Sequence, residues 1–144
     1  MSFEIVRVGQ RIVAGFTIPL GGREVTRRDL DLVNYTWDRY LARGKHGPRV
    51  AVYVAQDGRS AAVLGYECDA LDDVERGDVL TVVPEGTYAK FTVSGKPYDL
   101  TRTAWAEVIK AENAGAIKRT YVTDIERFVG DTSVEVYVSV EDTE

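Results

Sequence analysis

The pentapeptide Ala14-Gly15-Phe16-Thr17-Ile18 recurs in altered form as Ala89-Lys90-Phe91-Thr92-Val93, and this pair decides the fold. Further pairs follow in the same order at an offset of about 70 residues: Thr36-Trp37 with Ala104-Trp105, Val50–Tyr53 with Ile125–Phe128, and Val63–Tyr66 with Val134–Tyr137. A single match of this kind arises easily by chance. Several matches in one order predict that the chain contains an internal duplication.

Outward from these pairs, each half of the chain shows the same series of strand, helix, strand and strand patterns. In the first half these elements are predicted over 12–18, 26–43, 49–55 and 61–68. In the second half they are predicted over 87–93, about 100–114, 124–129 and 133–140. The segment that joins the halves, 69–83, is predicted to hold one further strand around 80–83.

The predicted helices and strands are based on the spacing of apolar residues. Each helix has an apolar stripe with steps of three and four residues: Leu30, Val33, Trp37 and Leu41 in the first, and Ala104, Trp105, Val108 and Ile109 in the second. The last strand alternates between faces, with Val134, Val136, Val138 and Val140 on one and Glu135, Tyr137 and Ser139 on the other. Both helices and strands are therefore amphipathic, as the layers of a folded domain require.

These elements predict an α+β fold built as a pseudo-twofold duplication of a βαββ module. The expected architecture is an antiparallel sheet with two helices on one face. We expect a single domain over 1–144, with module one at about 1–75 and module two at about 76–144. Each module alone would leave apolar surface in water, so pairing them buries surface and leaves a groove or cavity at the junction, where ligands commonly bind.

Composition narrows the classes of function. The chain has 144 residues and a net charge of -5, which argues against direct nucleic-acid binding, since such proteins usually carry a basic excess. One Cys and one His exclude a disulfide framework and a zinc site made of these residue types alone, and we expect no metal or cofactor. No export signal or membrane span is visible, so the expected compartment is the cytoplasm.

Four motifs in order resemble a known family. Val83-Pro84-Glu85-Gly86-Thr87-Tyr88-Ala89-Lys90-Phe91 is followed by a helix with Trp105 at its core. An acidic-aromatic strand with Asp124, Glu126 and Phe128 comes next, and the Val134–Val140 strand ends the series. Together they are similar to the GyrI-like, or AraC-type, effector-binding domain, most closely over about 79–140.

This resemblance implies a pseudo-twofold pair of modules that binds small hydrophobic, often cationic, molecules between them. Members occur in transcription regulators, as gyrase-inhibitor-like proteins and as hydrolases of strained-ring toxins. Since residue 12 already starts the first module, this chain is expected to be a stand-alone member without its own DNA-binding domain. Whether a separate protein partner exists stays open.

Glu126 is the first candidate site residue, because the resemblance places a buried, ligand-facing carboxylate there. Such a group beside aromatic rings suits an organic cation, and burial would raise its pKa toward that of a general acid or base. The alternative is a solvent-facing Glu126 paired with Arg127 or a neighbouring Lys. If Glu126 faces the cavity, strand alternation is expected to turn Arg127 toward the helix layer.

Aromatic residues supply the other candidates. Trp105, equivalent to Trp37, is either a core residue of its module or a wall of the cavity, and both can hold at once. Tyr66 and Tyr137 are aligned in the repeat, so two phenols are expected to approach the pseudo-twofold axis from one face. Tyr53 and Phe128 form a second aligned pair, and they are weaker candidates for the site.

Three functions follow as hypotheses. The first is binding of a small hydrophobic or cationic ligand, with Glu126 as the charge and Trp105, Tyr66 and Tyr137 as walls. The second is an enzyme on the same scaffold, a hydrolase of strained-ring or electrophilic toxins, in which Glu126 activates water and Tyr137 contacts the substrate. The third is a gyrase-inhibitor-like protein-binding module whose groove is incidental.

Overall fold

One antiparallel sheet of eight strands runs through the whole computed structural model, which describes residues 3–20, 27–44, 47–56, 59–96 and 99–142. The strands are β1 Glu4–Val8, β2 Arg11–Leu20, β3 Arg49–Gln56, β4 Arg59–Cys68, β5 Val79–Val83, β6 Gly86–Ser94, β7 Arg119–Phe128 and β8 Ser133–Val140. The helices are α1 Arg27–Leu41 and α2 Leu100–Asn113. The predicted helix start at Thr26 lies outside the described residues, and Gly44 and Gly115 follow the helices at positive φ, as helix-ending glycines do.

The strand order is β1-β6-β8-β7-β3-β4-β2-β5, which is symmetric about its centre. A pseudo-twofold axis passes between β3 and β7, where Ala51 lies directly opposite Glu126. On the first three strands of each half, related residues are 75 positions apart, such as Val8 with Val83 and Ala14 with Ala89. The predicted α+β class and the internal duplication are confirmed.

The outermost strands are exchanged between the halves. β1 pairs with β6 of the second half, and β5 pairs with β2 of the first half. If the chain is divided near residue 75, the first strand of each half therefore pairs with a strand of the other half. The sequence did not predict β1, because Val8 is its only buried residue and the strand shows no clear alternation.

Both helices lie on one face of the sheet, as predicted. Val33, Trp37 and Tyr40 of α1 pack on β2 and β4, and Leu100, Ala104 and Val108 of α2 pack on β6 and β8. The opposite face carries a second apolar layer made of Val8, Val13, Val50, Val52, Val63, Val83, Tyr88, Ile125 and Tyr137. Within the described residues, neither helix is long and apolar enough to cross a membrane.

Candidate functional site

The central strands β3 and β7 run between the two helices, because α1 lies over β2 and β4 while α2 lies over β6 and β8. We call the space above these two strands the interhelical groove. Residues directly opposite each other in an antiparallel pair share a face. The strand register therefore directs three cross-strand pairs toward the groove: Arg49 with Phe128, Ala51 with Glu126, and Tyr53 with Asp124.

Glu126 forms the floor of the groove, and its side chain is only 4% exposed. The Tyr53 hydroxyl donates a hydrogen bond of 2.6 Å to one carboxylate oxygen. The Trp105 indole Nε1 donates one of 2.6 Å to the other oxygen. Burial raises the pKa of Glu126, and these two hydrogen bonds, which favour the charged form, offset only part of that rise.

Tyr53 and Trp105 meet edge to face with ring centroids 6.4 Å apart, and we call this group, with Glu126, the Trp105 end of the groove. The related group, the Trp37 end, pairs Trp37 with Phe128 at 5.7 Å in the same edge-to-face manner. The Arg49 guanidinium lies 4.3 Å from the Phe128 ring centroid and 4.8 Å from that of Trp37. The groove thus has aromatic rings at both ends, with the Glu126 carboxyl group at one and the Arg49 guanidinium at the other.

Asp124 places a second carboxylate near Glu126. Arg119 holds it through a hydrogen bond of 2.8 Å and also lies 3.6 Å from Glu112. Burial raises the pKa of Asp124 to about 6, although the Arg119 charge opposes the rise. Asp124 Oδ1 and Arg119 Nε are both buried without a hydrogen-bond partner.

An exposed apolar side chain follows the Trp residue of each helix. Leu41 follows Trp37 by four residues and Ile109 follows Trp105 by four, so each lies one turn further along the same side of its helix. Leu41 is 53% exposed and Ile109 is 52% exposed.

Tyr66 and Tyr137 do not meet at the axis, which corrects the expectation that they approach it from one face. Tyr66 lies on the helix face, where it stacks on Tyr40 and donates a hydrogen bond to Asp78 at 2.6 Å. Tyr137 lies on the opposite face and donates to Glu135 at 3.0 Å. The structural counterpart of Tyr137 is Gly65, since Gly65 pairs with Gly15 as Tyr137 pairs with Lys90. The sequence alignment was wrong by one residue here, and a shift of one residue exchanges the faces.

Arg127 also differs from expectation. It lies on the face opposite the helices, where its guanidinium donates to Glu67 at 2.9 Å and to Glu135 at 3.4 Å. Glu126 is the residue that faces the helix layer, so the groove is on the helix side and no guanidinium is forced into it by Arg127. The alternative in which Glu126 faces solvent and pairs with Arg127 is wrong. A cleft of about 640 Å³ lies beside the Arg127 ion pairs.

The structure brings together Glu126 and Trp105 of the predicted site residues, and it separates both from Tyr137 by the thickness of the sheet. It adds Tyr53 to Glu126, which the sequence placed only in the aligned pair with Phe128. The alignment of Val50–Tyr53 with Ile125–Phe128 already set Ala51 against Glu126, but only the pairing of β3 with β7 brings Tyr53 and Glu126 together. Among the described residues, no group of three potential ligands could hold a metal ion.

Comparison with known proteins agrees with this architecture. The family model described as Cass2, integron-associated effector binding protein, matches residues 4–140. The predicted resemblance to an effector-binding domain is confirmed by this match. No curated protein sequence matches the chain.

Solved structures share the fold over nearly the full length. The integron cassette protein VCH_CASS2 from the mobile metagenome of Vibrio cholerae is 20% identical, with a TM-score of 0.76 over 96% of this chain and 95% of that one. SAV2435 bound to tetraphenylphosphonium is 13% identical, with a TM-score of 0.76 and coverage of 98% and 94%. A putative transcription regulation protein from Staphylococcus aureus MU50 is 10% identical, with a TM-score of 0.75 over 99% of both chains.

Proposed function

Because the chain belongs to the Cass2 family of integron-associated effector binding proteins, we propose that it binds bulky hydrophobic organic cations in the interhelical groove. The observation that carries this proposal is the Glu126 carboxyl group, buried beside the aromatic rings of Trp105 and Tyr53. A carboxylate in a low-dielectric setting attracts a cation far more strongly than one in water. The rings add cation–π attraction and apolar contact.

The fold neighbour SAV2435 in complex with tetraphenylphosphonium supports this choice of ligand class. Both oxygens of Glu126 already accept hydrogen bonds from Tyr53 and Trp105, so a ligand cation approaches a carboxylate that is held in place. Trp105 and Tyr53 form one wall of the proposed site, and Trp37 and Phe128 form the other. Tyr66 supports the second wall indirectly, through its stacking on Tyr40, which contacts Trp37.

The test is calorimetric titration with tetraphenylphosphonium at pH 8.5, where Glu126 is expected to be ionised. Glu126→Gln keeps the shape of the side chain and removes its charge. We expect it to weaken binding roughly ten-fold or more, which corresponds to about 1.4 kcal/mol or more. Triphenylphosphine oxide, a neutral probe, should bind the wild type and the variant alike.

Glu4→Gln is the matched control, because it changes the net charge equally at an exposed position on the edge strand β1. It should leave the affinity for tetraphenylphosphonium unchanged. Equal loss in both variants would mean that only the overall charge of the protein matters. Binding of the cation by Glu126→Gln at wild-type strength would reject the groove as the site.

A further inference from the structure

Arg49 is a cation that the protein itself places in the interhelical groove. Its position opposite Phe128 in the strand register turns it toward the helix face. The guanidinium lies 4.3 Å from the Phe128 centroid and 4.8 Å from the Trp37 centroid, within the range of cation–π attraction. Half-burial lowers the pKa of Arg49, but an arginine keeps its charge in proteins.

Arg49 is held differently from Arg119, the other guanidinium near the groove. Arg119 forms ion pairs with Asp124 and Glu112, and its side chain is 9% exposed. Within the described part of the chain, no carboxylate lies at ion-pair distance from Arg49, so aromatic rings are its contacts there. Its nearby charges, Glu126 and Asp131, act only at longer range.

We infer that Arg49 is a built-in competitor for the ligand: its guanidinium occupies the aromatic surface at the Trp37 end and must leave it when an organic cation enters. This inference rests on the proposed function. Glu126 offers one negative charge at the axis, and two cations in the same low-dielectric groove repel each other. Because no carboxylate among the described residues forms an ion pair with Arg49, its long side chain can rotate toward solvent without breaking one there. A ligand must therefore displace Arg49 in order to bind. Only a ligand that makes more contact with the aromatic rings than the guanidinium does can displace it.

The first test uses the wild-type protein and nuclear magnetic resonance of the arginine Nε–H group. A guanidinium stacked on Trp37 and Phe128 has a ring-current-shifted signal, which Arg49→Lys assigns by its loss. Saturation with tetraphenylphosphonium should move this signal to the position of a solvated arginine. If the signal stays in place while calorimetry shows saturation, Arg49 remains on the rings and the inference is wrong.

The second test is Arg49→Met, which keeps an unbranched side chain and removes the charge. We expect tetraphenylphosphonium to bind roughly five-fold more tightly, and triphenylphosphine oxide to gain less, so the ratio of the two affinities rises. Arg49→Lys keeps a cation and should retain most of the wild-type ratio. Measurement at pH 8.5 matters because loss of the Arg49 charge raises the pKa of Glu126 further.

An unchanged ratio in Arg49→Met, or weaker binding of the cation, would overturn the inference. If both probes gained affinity equally, Arg49 would act only by steric exclusion and not through its charge. These outcomes differ from failure of the proposed function, in which the wild type does not bind tetraphenylphosphonium or Glu126→Gln binds it normally. The stabilities of the wild type and Arg49→Met are first compared by urea unfolding. This comparison ensures that a change in affinity does not reflect a change in the folded fraction.

Discussion

The two ends of the interhelical groove share one backbone frame and carry opposite chemistry. At the Trp105 end, an edge-to-face pair of Tyr53 and Trp105 donates two hydrogen bonds to the Glu126 carboxylate. At the Trp37 end, the related pair of Phe128 and Trp37 holds the Arg49 guanidinium. Duplication preserved the aromatic frame, and the polar groups within it diverged.

The difference has a physical origin at the axis itself. Glu126 lies directly opposite its own counterpart, so a fully symmetric site would bring two carboxylates together. Like charges at directly opposed strand positions destabilise a sheet, and burial makes the repulsion stronger. Ala51 at the related position removes this conflict. One carboxylate then lies at the axis, which is why the site is asymmetric although the fold is not.

The largest effect should come from a close backbone approach that the first half has and the second half lacks. Gly15 pairs with Gly65 in the first half, where the second half pairs Lys90 with Tyr137. A Cβ on Gly65 would lie 1.9 Å from the Ala14 carbonyl oxygen, and one on Gly15 would lie 2.1 Å from that of Leu64. Gly65→Ala should lower the free energy of unfolding by about 3 kcal/mol or more in urea denaturation, because backbone must shift to admit the methyl group.

Gly86→Ala is the control for this prediction. Gly86 also lies in a strand, but its added Cβ would meet only a Tyr88 ring atom at 3.9 Å, an ordinary contact. It should change the stability by less than about 1 kcal/mol. Similar losses in both variants would show that the cost is one of strand glycines in general, and the close approach of β2 and β4 would not be its cause.

The sequence predicted the order of elements well, because helices and strands are set by local apolar spacing. It missed β1 and the first half of β7 for a different reason. β1 has little alternation, and β7 contains a register shift between Arg119 and Asp124, with Tyr121 at a φ of 58°. A bulge of this kind interrupts the period of two on which strand prediction depends. Both segments are held in the sheet by pairing with other strands, and this pairing is not predicted from their own sequence. The local spacing of apolar residues contains no information about that pairing.

The site was predicted in part, and the division follows from strand register. Glu126 and Trp105 came from the resemblance and meet in the structure, whereas Tyr137 was misplaced by a one-residue error in the alignment of β4 with β8. Arg49 was not identified, since a lone arginine at a strand start resembles any exposed charge. Its role depends on Phe128 across the strand pair and on Trp37 from α1, two contacts between distant parts of the sequence.

A smaller effect on stability is expected at the second position where the two ends differ in charge. Asp124 lies at the Trp105 end, where the related residue at the Trp37 end is Arg49. The pKa of Asp124 is about 6 in the folded state, above its unfolded value of roughly 3.9. Between these values the folded state binds more protons, so the Asp124 contribution to stability falls as the pH rises from 4 to 6 and is constant above that range. The free energy of unfolding of Asp124→Asn minus that of the wild type should therefore rise by about 2 kcal/mol across this interval.

Urea denaturation at pH 4, 5, 6 and 7 measures this difference. Asp31→Asn, at an exposed position on α1, is the control and should follow the wild-type pH dependence. The neighbours Arg119 and Glu112 are present in every variant, so Asp124→Asn removes the titration of Asp124 and leaves its ion-pair partners in place. A difference between Asp124→Asn and wild type that does not change with pH would contradict a raised pKa at this position.

The smallest effect should come from the single hydroxyl that distinguishes Tyr53 from its counterpart Phe128. Tyr53→Phe removes one hydrogen bond to the charged form of Glu126, so the pKa of that carboxyl rises further. Cation binding needs the ionised form and is lost as the pH falls through this pKa. Tyr53→Phe should thus lose tetraphenylphosphonium binding at a higher pH than the wild type, by the equivalent of about 1 kcal/mol for the lost hydrogen bond.

Phe128→Tyr adds the same hydroxyl at the Trp37 end, where Arg49 and not a carboxylate faces it. Its calorimetric pH profile with tetraphenylphosphonium should match that of the wild type. If both variants shift the profile equally, the hydroxyl acts through the shape of the groove and the two ends are equivalent. If only Tyr53→Phe shifts it, the anion at the Trp105 end is tuned by its own hydrogen bonds, and the asymmetry of the groove lies in these few polar atoms.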